Sequence, residues 1–343
     1  MSVQRAQRVG PSAMRDAFMD VFSNVLKMTN LAAHVSGARA FVRPWGIHVE
    51  AQAHAIVHIV KRGVCWLRRG DEILPLSSGE LVLLAHGDAH TLASDRAMLD
   101  LQSSRNEIVK SRALPSSRSL SSSLTETTEI VSATYELSQE AAHPLLLLLP
   151  PVIHFSRAPE DSHDELALLV QLILKESERR AIGTDAVLPH LVATLFVYIV
   201  RSWLRKQPSE TAGWIGALRD PQIRRALTSI HNAPHVPWSV ESLARSVAMS
   251  RAAFAKRFSE LVGEPPLTYL TRWRMDLAAK LLRESNEPVA RIAARVGYIS
   301  ETAFAKAFKR WRKSAPGQYR RLRNPTHLRS SKRQTEVAAD ALF

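Results

Sequence analysis

Most of the marks of an enzyme, a secreted protein or a membrane protein are missing from this sequence. Its 343 residues include one cysteine, Cys65, so no internal disulfide can form and a reducing cytoplasm is the expected compartment. The opening residues, MSVQRAQRVGPSAMRDAFMD, contain no apolar core before a cleavage site, hence no signal peptide is expected. The apolar runs 145–153 and 187–200 fall short of the ~20 residues a spanning helix needs, and the first contains two prolines, so no membrane partner is expected. No glycine-rich phosphate loop and no nucleophile elbow occurs. The chain is long enough for two domains, each with its own core.

Positive charge is plentiful but unevenly placed. Of the net +14, residues 235–323 carry +11, from 18 Lys and Arg against 7 Asp and Glu. A basic balance confined to one domain suits a polyanion, and nucleic acid is the first candidate.

Short apolar runs divided by Gly, Asp or Ser turns fill residues 41–101: HAIVHIV (54–60), VCWLRRG (64–70), EILPL (72–76) and ELVLLA (80–85). They predict strands of a sandwich or barrel. Residues 102–129 are Ser-rich and predict a long mobile loop, followed by a strand at 130–137. Over 164–180 and 186–205 apolar residues recur at i, i+3, i+4 and i+7, which predicts a helical hairpin. That hairpin either packs on its own β-domain or pairs with a second copy as a homodimer. NAPHVPW (232–238), with two prolines, predicts a boundary.

One motif is written twice. AAFAKRFSEL (252–261) returns as TAFAKAFKRW (302–311), and the likeness extends outward. Leu243, Ala244 and Val247 match Ile292, Ala293 and Val296. Phe254, Lys256, Phe258, Pro266 and Tyr269 match Phe304, Lys306, Phe308, Pro316 and Tyr319. Each copy predicts a short helix, a tight turn and a second helix opened by Ser250 or Ser300 as N-cap. Gly297 gives the second turn its backbone freedom, and small Ala244 and Ala293 allow close helix packing. This is helix-turn-helix grammar. On the helical wheel Phe254, Phe258 and Leu261 define the buried face of one recognition helix, and Phe304, Phe308 and Trp311 that of the other. Ala252, Ala255, Lys256 and Ser259 then face outward, as do Thr302, Ala305, Lys306 and Lys309. Small residues let a helix enter the major groove, where Lys can donate to guanine or phosphate. Arg251, Arg257, Arg310 and Arg312 flank these faces as phosphate contacts.

With its AARVGYISETAFAKAFKRWRKSAPGQYR and its connecting stretch GEPPLTYLTRWRMDLAAKLLRES, region 236–323 resembles the DNA-binding domain of AraC/XylS-type bacterial transcription regulators. The resemblance implies double-stranded DNA as a partner, RNA polymerase as another, and activation as the usual output. It also implies that both units enter successive major grooves at a spacing set by the connecting helix. Residues 266–284 would span ~28 Å as a helix, close to the ~34 Å of one DNA turn. Residues 58–92 resemble the cupin-like sensor domain of one AraC-type subgroup, and 213–234 its interdomain segment. The expected fold is therefore mixed: a cupin-like β-barrel with a two-helix extension, then an all-α domain of two helix-turn-helix units. The expected divisions are an arm (1–18), a sensor and dimerisation domain (19–207, hairpin 161–206), a linker (208–235), the DNA-binding domain (236–323) and a basic tail (324–343).

The second cupin motif is met at Gly79, Gly87 and His90, with Ala85 in place of its proline. His54 with His58, and His86 with His90, are each four apart and would share a strand face. His54, His58, Trp66 and His90 are candidates for an effector pocket, and His58 and His90 for a metal. A catalytic cupin, however, resembles a set of three His and one Glu that begins with a His-X-His pair, and that pair is absent. A metal-dependent cupin enzyme joined to a DNA-binding domain is thus the alternative, and no cofactor is expected. Cys65 reads either as a redox sensor or as a small buried hydrophobe.

Overall fold

Every residue from Ala55 to Val60 is buried, the mark of a strand covered on both faces. It lies at the centre of a five-stranded sheet in the computed structural model, which describes residues 21–28, 31–100, 127–136, 148–156, 165–179, 181–208 and 213–323. The expected arm (1–18), tail (324–343) and most of the Ser-rich segment lie outside the described residues. Two units emerge: Thr29–Gln207, and Met1–Met28 together with Pro208–Phe343.

Among the described residues the first unit has nine strands: β1 Ala32–Val42, β2 Gly46–Val49, β3 Ala55–Arg62, β4 Val64–Arg69, β5 Glu72–Ser77, β6 Leu81–Leu84, β7 His90–Ala93, β8 Thr127–Glu136 and β9 Val152–Phe155. They form two antiparallel sheets, ordered β1-β8-β3-β6-β9 and β2-β7-β4-β5. The expected barrel is thus realised as two facing sheets; hydrogen bonding does not close them into one among the described residues. Alternation turns Phe41, Val60, Val82 and Ile130 of the first sheet inward against Cys65, Leu67, Leu76 and Leu92 of the second. Gly87 fixes the turn before β7. Its φ is +68°, and a Cβ there would lie 2.3 Å from the carbonyl oxygens of Gln52 and His54.

Helices α2 (Glu165–Arg179) and α3 (Thr184–Lys206) form the expected hairpin, and α3 lies on β1. Tyr135 of β8 donates from Oη to the Val192 carbonyl at 3.0 Å and meets the Phe196 ring at 5.0 Å. By length and composition α3, at 23 residues, could cross a membrane. Its apolar positions Leu188, Val192, Leu195, Phe196, Ile199 and Val200 are buried in the unit, as in the core helix of a globular domain.

The second unit is helical: α1 over 21–28, α4 Gly213–Arg219, α5 Pro221–Asn232, α6 Val240–Ser246, α7 Arg251–Val262, α8 Pro266–Glu284, α9 Val289–Arg295, α10 Glu301–Arg312 and α11 Pro316–Arg323. Val21, Phe22, Val25 and Met28 are buried along α1. Asn24 donates to Asn232 at 3.0 Å, and Lys280 to the Lys27 carbonyl. The 208–235 segment, read as a linker, holds α4 and α5, and α4 packs on α7.

Duplication reaches the side chains. The Phe254–Phe258 and Phe304–Phe308 rings are each 5.6 Å apart, and Tyr269 and Tyr319 meet the second phenylalanine of each pair edge-on at 5.8 and 5.3 Å. The turns match as well, with Met249 N bonded to Ala244 O at 3.0 Å and Tyr298 N to Ala293 O at 2.9 Å. Both turns need positive φ, +56° at Ala248 and +87° at Gly297. A Cβ at Gly297 would lie 2.9 Å from the His235 backbone and 2.7 Å from Arg274. Ala248 carries its Cβ in the left-handed region, at a cost of ~1–2 kcal/mol. Ala248→Gly, which removes that cost but loosens the unfolded chain, is therefore expected to change stability by less than ~1 kcal/mol, whereas Gly297→Ala should cost more than ~2 kcal/mol. Urea unfolding of the two variants checks this, and equal effects would contradict it.

Candidate nucleic-acid interface and sensor cavity

Ser250 and Ser300 cap the two recognition helices, accepting from Ala253 N at 3.2 Å and Ala303 N at 3.3 Å. With Phe254, Phe258, Phe304 and Phe308 fully buried, the opposite sides of α7 and α10 face solvent. Arg251, Ala252, Lys256, Thr302, Lys306, Lys309 and Arg310 are exposed, and Ala255 and Ala305 half-buried. Lys256 makes only a loose contact with Glu260, 3.9 Å away on the same helix. Arg251, Lys306, Lys309 and Arg310 have no carboxylate partner among the described residues, so these cations remain available to phosphate or base edges.

Several expected assignments shift. The buried stripe runs i, i+4, i+8, so Val262 rather than Leu261 completes it on α7, and Leu261 is half-buried. Position 312 takes the equivalent place on α10 and leaves Trp311 37% exposed. Ser259 is half-buried and donates to the Ala255 carbonyl at 2.8 Å. Arg257 and Arg312, expected at phosphates, each pair with a sheltered carboxylate. Arg257 Nε donates to Asp220, whose side chain is 5% exposed. Arg312 donates to Asp276 with both side chains 13% exposed. Burial pushes the Asp276 carboxyl up to about 6, against the pull of Arg312 and Arg272.

Asp220 does more than pair. Its Oδ1 accepts from Gln222 N at 2.9 Å and Ile223 N at 3.0 Å, capping α5. Gln222 Nε2 in turn donates to the Val247 carbonyl, at the turn of the first helix-turn-helix, at 2.9 Å. The start of α5 therefore grips both the turn and the recognition helix of the first unit. Reading 208–235 as a linker missed these two residues. The signal was present as Asp220-Pro221, a cap followed by proline at the first helical position.

In the other unit a cavity of about 160 Å³ opens between the sheets, lined in part by Arg39, Phe41, Ile47, His58, Leu92 and Ser132. His58 and His90 point inward from opposite sheets and meet Nε2 to Nε2 at 2.8 Å, both buried. The proton order follows from the ends of the chain. His90 Nδ1 must donate to the Asp88 carbonyl at 2.8 Å, so its Nε2 accepts from His58. His58 Nδ1 then accepts from Ser132 Oγ at 2.8 Å. Both rings are neutral. Burial, then His90, brings His58 down to about 3, and burial also lowers His90. The other pocket candidates lie elsewhere. His54 precedes β3 and His86 sits in the turn after β6, so neither shares a strand face with its expected mate. His86 donates to the Leu149 carbonyl at 2.9 Å. Trp66, between inward-facing Cys65 and Leu67, points away from the sandwich core by strand alternation. Burial raises the Cys65 thiol to about 12, which suppresses the thiolate. Among the described residues no group of three or more His, Cys, Asp or Glu could hold a metal ion, and the facing nitrogens of His58 and His90 are engaged with each other.

Comparison with known proteins agrees with this geometry. A cupin family matches residues 20–205, and a helix-turn-helix domain family matches 243–322. A putative AraC-like transcription regulator from Streptomyces lividans is 33% identical over 88% of this chain and 98% of its own length. The chain belongs to the AraC-like family of transcription regulators. The transcriptional regulator AlkR of Acinetobacter baylyi is 34% identical over 80% of this chain and 90% of its own length. The RCS-specific transcriptional activator RclR of Escherichia coli is 33% identical over 72% of this chain and 87% of its own length.

As an AraC-like regulator the protein binds DNA through its helix-turn-helix domain, and two of the interactions above make testable demands. Asp220→Asn keeps the α5 cap but removes the charge facing Arg257. It is expected to weaken DNA binding several-fold by loosening α7 and not α10. Footprinting on duplex DNA measures this as protection lost in one part of the site, and uniform loss across the footprint would contradict it. The histidine pair sets a pH dependence. The native state keeps His58 neutral while the unfolded chain takes up a proton below ~6.5, so stability is full above that pH and lost as pH falls toward 3. His58 is expected to contribute up to ~1.4 kcal/mol per pH unit, a contribution removed in His58→Gln, whose amide can replace both hydrogen bonds, while buried His231 keeps its own. Urea midpoints between pH 7 and 4.5 test it.

Proposed function

We propose that this regulator reads two successive major grooves with α7 and α10 and that a small-molecule effector in the sandwich cavity controls the outcome. The observation that carries the first part is the pairing of Lys256 and Lys306. They occupy equivalent outward positions on helices with the same buried Phe pair, the same serine cap and the same turn. Ala252, Ala255, Thr302 and Ala305 keep those faces shallow enough for close approach, while Arg251, Lys309 and Arg310 hold phosphates. Helix α8, at 19 residues, packs against both α7 and α10 and sets their separation.

The regulator works in the cytoplasm as an activator that engages RNA polymerase, a reading supported by the relative named an activator. The cavity with its neutral His58 serves the effector. Homodimerisation uses the outer side of the α2–α3 hairpin, where Leu168, Leu172 and Val187 are 54%, 48% and 45% exposed.

Selection of binding sites from random DNA tests the two-groove reading. Lys256→Ala should relax preference in one half of the site and Lys306→Ala in the other, about one helical turn apart, each worth ~1–3 kcal/mol of discrimination. Both variants shifting the same base pairs, or neither altering the site, overturns it.

A further inference from the structure

The cavity between the sheets has polar as well as apolar lining. Phe41, Ile47, Leu92 and Ile130 border the cavity as part of the hydrophobic core or packed against it. Facing the same space are Ser36, Arg39, Gln52, His58, Ser132 and Thr134. Of these, Ser36, Arg39 and Gln52 are exposed and Ser132 and Thr134 half-buried, so His58 is the one that loses its water and needs partners. His58 and Ser132 satisfy each other and continue to His90, so neither His58 nitrogen and not the Ser132 proton is free for a ligand.

Arg39 is different. It alternates with Phe41 onto the inner face of β1, opposite Ile130 of β8. A register shift between Val35 and Gly37 accompanies the turning of Ser36 toward the same space. Arg39 has no carboxylate within ion-pair distance among the described residues, and it remains solvent-accessible, so a ligand can reach it. An arginine beside apolar walls, with hydroxyls and an amide as further donors, matches a single planar anion better than a neutral molecule. One guanidinium also suits one charge rather than the two of a phosphate monoester. A cavity near 160 Å³ is about the size that accepts a benzene-sized molecule.

We infer that the effector is a small organic monocarboxylate: its carboxylate sits on Arg39 with help from Ser36 and Thr134, and its compact apolar body lies against Phe41, Ile47 and Leu92. This rests on the proposed reading of the cavity as the effector site and names the class of ligand it takes.

Titration calorimetry on the full-length protein separates the two claims. The probes are hexanoate and cyclohexanecarboxylate, each against the alcohol of the same skeleton, 1-hexanol and cyclohexylmethanol. The carboxylates are expected to bind at least ten-fold more tightly than the alcohols. Arg39→Gln should reduce them to the level of the alcohols, and Val49→Phe, which fills the cavity wall, should weaken both classes. Unchanged circular dichroism melts control for folding, and Arg39 is exposed enough to expect that. Alcohols binding as tightly as carboxylates, or a margin that survives Arg39→Gln, overturns the anion assignment and leaves the effector cavity standing. Binding by neither class to the wild-type protein overturns both.

Discussion

Two phenylalanines four residues apart decide which side of each recognition helix can meet DNA. Once Phe254 and Phe258, or Phe304 and Phe308, are fully buried beneath a tyrosine edge, the helix has no remaining rotational freedom. Lys256 and Lys306 are then outward by geometry, and the small residues beside them follow. The same packing requires the turn before each helix to be short, which forces a left-handed residue at Ala248 and Gly297. Cap, turn, core and reading face are thus consequences of one apolar pair, used twice.

The two reading units are not supported alike. In the second, α10 is tied through Arg312 to Asp276 of α8, which also lies 3.7 Å from Arg272. The first is tied through Arg257 to Asp220, outside the duplicated motif. A carboxylate 5% exposed must be paired or its charge is costly, so Asp220 holds Arg257 in place even though the arginine is half in water. Of four arginines flanking the recognition faces, Arg257 and Arg312 therefore serve as struts, while Arg251 and Arg310 have no carboxylate partner among the described residues.

Much of this was legible in the sequence because a duplication tests itself: a residue type that recurs at fifty residues' distance is required by geometry. Lys256, Lys306, the serine caps and the phenylalanine pairs could be read in that way. Leu261 and Trp311 could not, because the wheel leaves i+3 and i+4 nearly equivalent, and the stripe chose the i+4, i+8 line that places Arg312 beside Asp276. The ion pairs of Arg257 and Arg312 could not be read for a related reason, since a one-dimensional sequence does not show a carboxylate waiting on another helix. In the β-unit the apolar centre strands were plain. β1 was not, because as a partly exposed strand paired to β8 it carries Ser, Gly and Arg where a core strand carries Val and Ile. His58 and His90 were singled out together as metal candidates, but spacing paired them with His54 and His86, and their contact with each other across the sheets required coordinates.

The interior of the sandwich and the start of α5 obey the same rule: polar groups in dry places occur in closed chains. Ser132, His58, His90 and the Asp88 carbonyl form one chain, and every proton in it has a single destination. Asp220, Gln222, Arg257 and the Val247 carbonyl form another. Such chains tolerate substitution poorly, because loss of one member strands the next without water. Arg39 belongs to neither, because it is exposed and keeps its water. Connectivity adds a last constraint. The backbone leaving the β-unit at Gln207 enters α4 and then α5, whose first residues grip the first recognition helix. The backbone entering that unit at Thr29 comes from α1, which is bonded to Asn232 and Lys280. Both covalent routes out of the β-unit therefore end on helices bonded to the framework of the helix-turn-helix domain, and neither ends on the recognition helices themselves.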